Sequence, residues 1–385
     1  MINFVLRRDF QGADLSASAT QGDGSPGATK RASIVVGFGS LTEQGFNLMA
    51  TVDWRKQNVL AAVDRAFGST GILGSTRSDI TAGTSGTAFP GDVGGFEPSA
   101  PNCDPPFSIP RNTTPSNGGA FNSCRYDFTR SIDLIPANEQ VTGVLRGSLA
   151  LGKDNTISAE YVRANNKATS RVAPAPTSHL IPASSVFFPA GAPIGRIPNI
   201  KTPDPDDTVA GGVVNWRQVP AGKRTSGDDT TTERAMVELE GARGGLDYRA
   251  AFGTSKNKST ATVKEGYVND SLMQDGVWTG VINPFGTHAA ANFGQTAAGV
   301  AAIEAAQVRA PTVIGNSKVD FIDARVSMDL FKMAGGNAAL AVGLEHRKER
   351  SSFENTDITA ELGSLGVDPD GDTSGSRKVS ALFSE

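Results

Sequence analysis

The sequence predicts an all-β protein, an antiparallel up-and-down transmembrane β-barrel with long extracellular loops, on three observations. Apolar and polar residues alternate in one run after another. The runs are joined in turn by very short and very long connections. The composition, 38 % hydrophobic and 20 % charged with a net charge of −4 over 385 residues, suits neither a soluble globule nor a disordered chain. Side chains of a strand alternate faces, so each run has one apolar and one polar side. A barrel wall needs that pattern, because only every second residue faces lipid.

The alternation is clearest from Val141 to Leu151, where Val141, Leu145, Leu149 and Leu151 oppose Thr142, Arg146 and Ser148. After the turn G-K-D-N, Ile157, Ala159 and Tyr161 oppose Thr156, Ser158 and Glu160. Upstream, Leu15, Ile34, Val36, Phe38, Leu48, Val52 and Trp54 mark the apolar sides of three earlier runs. Downstream, Val237 and Leu239, then Tyr248 and Phe252, then Ile322, Val326 and Leu330, then Leu340 and Leu344 mark four more. A last partial run begins at Val379. Short turns are predicted at 40–45, 152–155, 242–245 and 332–337, and long loops at 58–138, 168–228, 259–316 and 352–377. Ala-rich stretches at 59–67 and 297–308 predict short helices within two loops. Trp54 and Tyr161 are expected at the loop-side ends of their strands, as in an interfacial aromatic girdle.

Several function classes lose support. There is neither an apolar run of about 18 residues for a membrane helix nor a local basic patch for nucleic acid. His179, His288 and His346 lie far apart, without metal-ligand spacing, and no G-x-S-x-G elbow occurs, so an enzyme is not expected. D-P-D-G-D at 368–372 has the acidic spacing of a calcium loop, but Thr373 and Val379 stand where glycine and glutamate belong. G-F-G at 37–39 lacks the helix that a phosphate cradle needs, and N-T-T at Asn112 is a glycosylation pattern only. No cofactor is expected. Cys103 and Cys124 are read as a disulfide in an oxidising compartment, closing about twenty residues for roughly 3 kcal/mol. Two unrelated thiols are the other reading.

The opening I-N-F-V-L-R-R-D-F-Q-G resembles the last plug strand and barrel entry of TonB-dependent outer-membrane receptors. C-R-Y-D-F at 124–128, I-D-L-I-P at 132–136, I-P-A-S-S at 181–185, I-N-P-F at 282–285 and G-L-E-H-R at 343–347 are similar to that family too. The resemblance implies that residues 1–10 end a plug domain and that 11–385 form the N-terminal half of the barrel, with about ten of about 22 strands present. On this resemblance the signal peptide, the TonB-contacting segment and most of the plug are expected to lie outside residues 1–385. It further implies active uptake of a scarce substrate (siderophore-bound iron, cobalamin or an oligosaccharide) across the outer membrane, with lipid and the TonB complex as partners. Arg55, Arg146, Glu160, Arg234, Glu238, Asp323, Arg325, Glu345 and Arg347 would face the lumen and meet plug or substrate. A passive porin and a surface β-rich binding protein are the alternatives.

Overall fold

The computed structural model describes residues 9–22, 26–71, 83–100, 102–113, 121–358, 362 and 371–385. The opening motif before Asp9 and Asp368 to Asp370 of the acidic loop therefore lie outside the described residues.

Ten strands form one antiparallel sheet in chain order. They are β1 (Gly12–Thr20), β2 (Thr29–Phe38), β3 (Phe46–Gln57), β4 (Ala137–Ala150), β5 (Asn155–Val172), β6 (Arg224–Arg243), β7 (Leu246–Glu265), β8 (Ala310–Met333), β9 (Gly336–Asn355) and β10 (Thr373–Ser384). The strand count and the meander agree with the sequence reading. Among the described residues the sheet is open, with β1 and β10 at its edges. The β6–β7 turn shows how tightly the short connections are built. Gly244 and Gly245 both take positive φ, 61° and 81°, the pair of left-handed residues that a two-residue hairpin needs. Gly37 answers a different demand: a Cβ there would lie 1.9 Å from the Phe10 carbonyl oxygen, so only glycine lets residues ahead of β1 approach the sheet.

The strands are longer than the alternation suggested. β5 runs on to Val172, β6 starts at Arg224 and β8 has 24 residues, so the connections shrink to 58–136, 173–223, 266–309 and 356–372. In the extra turns both faces are polar, as at Asn165, Asn166 and Lys167 against Thr231, Thr230 and Asp229. No amphipathic signal marks such a stretch, yet its Thr-rich composition suits a strand and the ladder hydrogen bonds hold it. Two expectations move accordingly. Trp54 does sit near the loop end of β3, but Tyr161 lies eleven residues short of the end of β5. G-L-E-H-R falls within β9 rather than near its outer end.

Register confirms that the two faces differ. Leu145 aligns with Ala50 and Tyr161 on one, Arg146 with Met49 and Glu160 on the other. On the apolar face of β8, the band from Ile322 to Leu330 is nine residues long, and Asp320 and Lys318 follow it. The edge of this band slants across the sheet. Register carries Lys56 on β3 through Glu139, Lys167, Asp229, Thr260 and Ile314 to Glu354 on β9, yet the first Lys or Arg above the band on β9 is Lys348, six residues nearer the turns. A shift of about one residue per strand is the trace of a flat slab cutting strands tilted by roughly 35°, given about 3.4 Å per residue and about 4.8 Å between strands.

The long connections fold rather than dangle. Segments 58–136, 173–223 and 266–309 meet at the loop end in a cap with its own core: Phe89, Ile181, Val214, Trp216, Met273, Val277 and Ile282 are fully buried. Within it, Thr208–Arg217 pairs with Pro176–Pro182, Gly195–Pro198 and Asp92–Val93. Two helices complete it, α1 (Asp270–Trp278) and α2 (Ala297–Ala306). The Asn269 carboxamide accepts from Leu272 N at 3.1 Å and the Thr296 hydroxyl from Gly299 N at 3.1 Å, so both helices carry a side-chain N-cap. α2 matches the Ala-rich prediction. The helix predicted at 59–67 is instead the short strand Leu60–Ala61 and a single 3-10 turn, Ala62–Asp64. Leu60 there pairs with Ile135, and that pairing overrides helix propensity.

Candidate functional site: a charged sheet face beneath a folded cap

All nine predicted lumen residues lie on the polar face, as alternation requires, and the structure ties most of them into networks. Arg146 Nη1 donates to Glu160 at 3.2 Å, and Arg234 Nη1 donates to the other oxygen of Glu160 at 3.3 Å. Arg249, which the sequence reading left out, bridges Glu238 at 2.6 Å and Asp323 at 3.0 Å. Arg347 holds both Glu345 and Glu349 at 2.6 Å. Arg55 and Arg325 make no hydrogen bond or ion pair among the described residues. Arg249 was visible in the alternation of β7; what the sequence could not show is that register places it between two acids on different strands.

This face is drier than expected near the turns. Asn47, Arg146, Ser148, Ser158, Glu160 and Glu238 are all buried, with the Ser148 and Ser158 hydroxyls 2.9 Å apart. Asn47 Nδ2 donates to the carbonyls of Phe10 (2.9 Å) and Gly39 (2.8 Å), so residues ahead of β1 already rest on this side. The Nε of Arg146 is buried without a partner among the described residues. Such a group favours an acceptor supplied from the same side.

The cap joins its three segments through buried polar side chains. Trp216 Nε1 donates to His179 Nδ1 at 2.9 Å, which places the imidazole proton on Nε2, facing Asp270 Oδ1 at 3.2 Å. The hydrogen bond from His179 holds the Asp270 carboxyl below its usual range, against the opposing effect of burial. His288 stacks on Phe107 (4.0 Å between ring centres) and its Nδ1 meets Asp104 at 2.6 Å. Buried Arg217 donates to the carbonyls of Thr87 and Pro174 and lies over the Tyr126 ring; burial lowers its pKa to about 10. His179 and His288 are thus structural ties between distant loops. His346, far away on β9, meets the Ser380 hydroxyl at 2.8 Å.

Three of the quoted loop motifs, at 124–128, 181–185 and 282–285, supply cap core, whereas Leu134 and Ile135 of I-D-L-I-P are exposed. Ile181 and Ile282 are fully buried, Tyr126 and Asp127 likewise, and Asp133 binds Arg171 at 3.0 Å. Cys103 and Cys124 form the expected disulfide, with Cα atoms 5.7 Å apart. Glu97 lies beside it and accepts from Cys124 N at 2.5 Å; burial nonetheless raises its pKa to about 7. The two sulfurs are bonded to each other, so this trio is no metal site. Of the acidic loop, Asp372 spends an oxygen on Asn355 N at 2.7 Å. On the cap surface, Pro182, Asn199, Lys201, Val209 and half-buried Trp278 line a depression of about 620 Å³. Trp278 supplies one aromatic wall, and Lys201 is ion-paired with Asp275, so the depression suits a compact polar solute.

No protein-family profile matches the chain, and no curated protein does. Among solved structures, the chain is similar to the siderophore receptor PiuA from Acinetobacter baumannii, with 11 % identity, 97 % of this chain and 41 % of that chain covered, and a TM-score of 0.39. It is also similar to the open form of the ferric-catecholate import receptor Fiu from E. coli K12, with 11 % identity, 97 % and 46 % covered, and a TM-score of 0.35. The chain spans less than half the length of these receptors.

Proposed function

We propose that this chain is part of a TonB-dependent outer-membrane receptor that takes up a scarce substrate: siderophore-bound iron, cobalamin or an oligosaccharide. The observation that carries the membrane half of this reading is the slanted apolar band. Nine residues of β8, tilted by roughly 35°, span about 25 Å, the height of the apolar belt of an outer-membrane barrel. The opposite face carries buried ion pairs, as a wall around a polar interior does. Residues 11–385 then belong to the barrel and 1–10 to the end of a plug.

In this reading the cap is the extracellular end. Substrate docks in the depression beside Trp278, and the nine polar-face residues line the route below. The buried, unpartnered Nε of Arg146 and the uncommitted Arg55 and Arg325 offer donors to plug or substrate. TonB acts through the plug. The family-like motifs at 124–128, 181–185 and 282–285 favour a receptor over a passive porin, because they build a folded cap rather than plain loops.

The full chain, purified in detergent and mixed with phosphatidylcholine liposomes, is expected to float with them. A soluble monomer in detergent-free buffer would sink the membrane reading. Quenching of Trp278 fluorescence, absent in Trp278→Phe, is expected for one of the three substrate classes; silence toward all three would remove the uptake reading and leave the barrel wall standing.

A further inference from the structure

Directly above the apolar band, on the lipid-side face of β7, β8 and β9, register sets Lys256 beside Lys318 and Lys318 beside Arg350. Three like charges in one cross-strand row oppose folding. Lys258 sits one row higher on β7, and Arg163 lies in the same row on β5. Acidic compensation is thin. Asp320 is shared between Lys318 (3.1 Å) and Arg350 (3.2 Å), and Glu233 faces Arg163 at 3.4 Å. Lys256 and Lys258 are exposed and have no hydrogen bond or ion pair among the described residues. These five cations, with Glu233, Thr231, Asn316 and Ser352, line a groove of about 540 Å³ in which the cations outnumber the acid five to one. The sequence shows no basic patch, because the five come from four strands.

We infer that this groove binds the phosphate of an anionic lipid headgroup in the leaflet on the cap side. The inference rests on the membrane reading above, which supplies the height: a single row, Thr254, Asp320 and Lys348, separates the cations from Phe252, Ile322 and His346. A phosphate at the bilayer surface meets the ammonium groups while its acyl chains lie along Phe252 and Ile322. A free anion would gain only the first of these contacts. The phosphate oxygens accept from Lys256, Lys258 and Arg350, and the row of like charges is relieved.

The test uses the full chain in a zwitterionic detergent with equal amounts of phosphatidic acid and phosphatidylcholine, bound lipid being read by native mass spectrometry. Each basic side chain near an anionic surface is worth about a fivefold gain. The native chain should therefore retain phosphatidic acid at least about tenfold over phosphatidylcholine. Lys256→Gln/Lys318→Gln/Arg350→Gln should bring the two near parity, whereas Lys153→Gln at a short turn should not. For the native chain itself, about 0.5 M salt should weaken the preference, a check that needs no variant to fold. Equal retention of the two lipids by the native chain would overturn the inference, as would full displacement by inorganic phosphate at the same concentration. Failure of the native chain to float with phosphatidylcholine liposomes would instead overturn the membrane reading, a separate result.

Discussion

The sheet and the cap dispose of their large apolar side chains in opposite ways. In the sheet they point out: Leu145 is 57 % exposed and Phe252 59 %. In the cap they point in: Trp216, Phe89 and Met273 are inaccessible. One chain thus uses the hydrophobic effect against two different surroundings. The cap sequesters apolar surface within itself, as a water-soluble domain does. The sheet presents it in a bounded belt, with its charges on the opposite face and beyond the loop-side edge of the belt. The difference teaches that a low overall hydrophobic content can hide a concentrated apolar surface.

The largest effect should come from the cap. Trp216→Ala removes a fully buried ring together with its hydrogen bond to His179, and should destabilise the cap by about 3–5 kcal/mol. Limited proteolysis should then cut at residues 173–223 while the far-ultraviolet β signal persists. If sheet and cap instead melted together, they would be one cooperative unit and the contrast between them would fail.

Next is the sheet. Leu145→Arg should cost about 2–4 kcal/mol at mid-band, read as lost liposome flotation. Ser327→Arg, on the polar face of β8, should cost less than about 1 kcal/mol by the same reading. Ser148, also on the polar face, is a poor control because it is buried against Ser158. Comparable losses at Leu145 and Ser327 would contradict the assignment of faces.

The smallest effect is a pH dependence confined to the cap. Burial raises the Glu97 carboxyl from 4.5 to about 7, so between those values the folded cap keeps a proton that the unfolded chain releases. Its contribution is fully present below about pH 4.5 and is lost as pH rises through about 7. Asp270, held down by His179, has the opposite sign and loses its contribution in acid. Cap melting should thus fall modestly across the Glu97 window, and Glu97→Gln should flatten that slope. An unchanged slope in the variant would assign it to other groups.

Much of the sheet was legible because alternation is a local property. Leu145 and Arg146 are neighbours in sequence and opposites in space, and no distant contact is needed to know it. The strand ends were not legible: Asn165 to Lys167 are polar on both faces, and only the partner strand tells them from loop. The cap was read as loop for the same reason. α1 announces itself by Asn269 as N-cap and by Met273 and Val277 on one side, a signal easily lost in an irregular stretch. The candidate site divides likewise. Nine residues share the polar face that alternation assigns to them, yet Arg249, the link between Glu238 and Asp323, escaped because it is defined by register across three strands.

By itself, then, the sequence determined the period-two pattern, the strand order and which side of each strand is apolar, since these follow from backbone geometry and neighbouring residues. Only the tertiary structure decided where the apolar band stops, that its edge slants with the strand tilt, that three loops share one core, and that Lys256, Lys318 and Arg350 stand side by side. All four depend on register between segments far apart in the chain, set by ladder hydrogen bonds and packing that no local run of residues encodes.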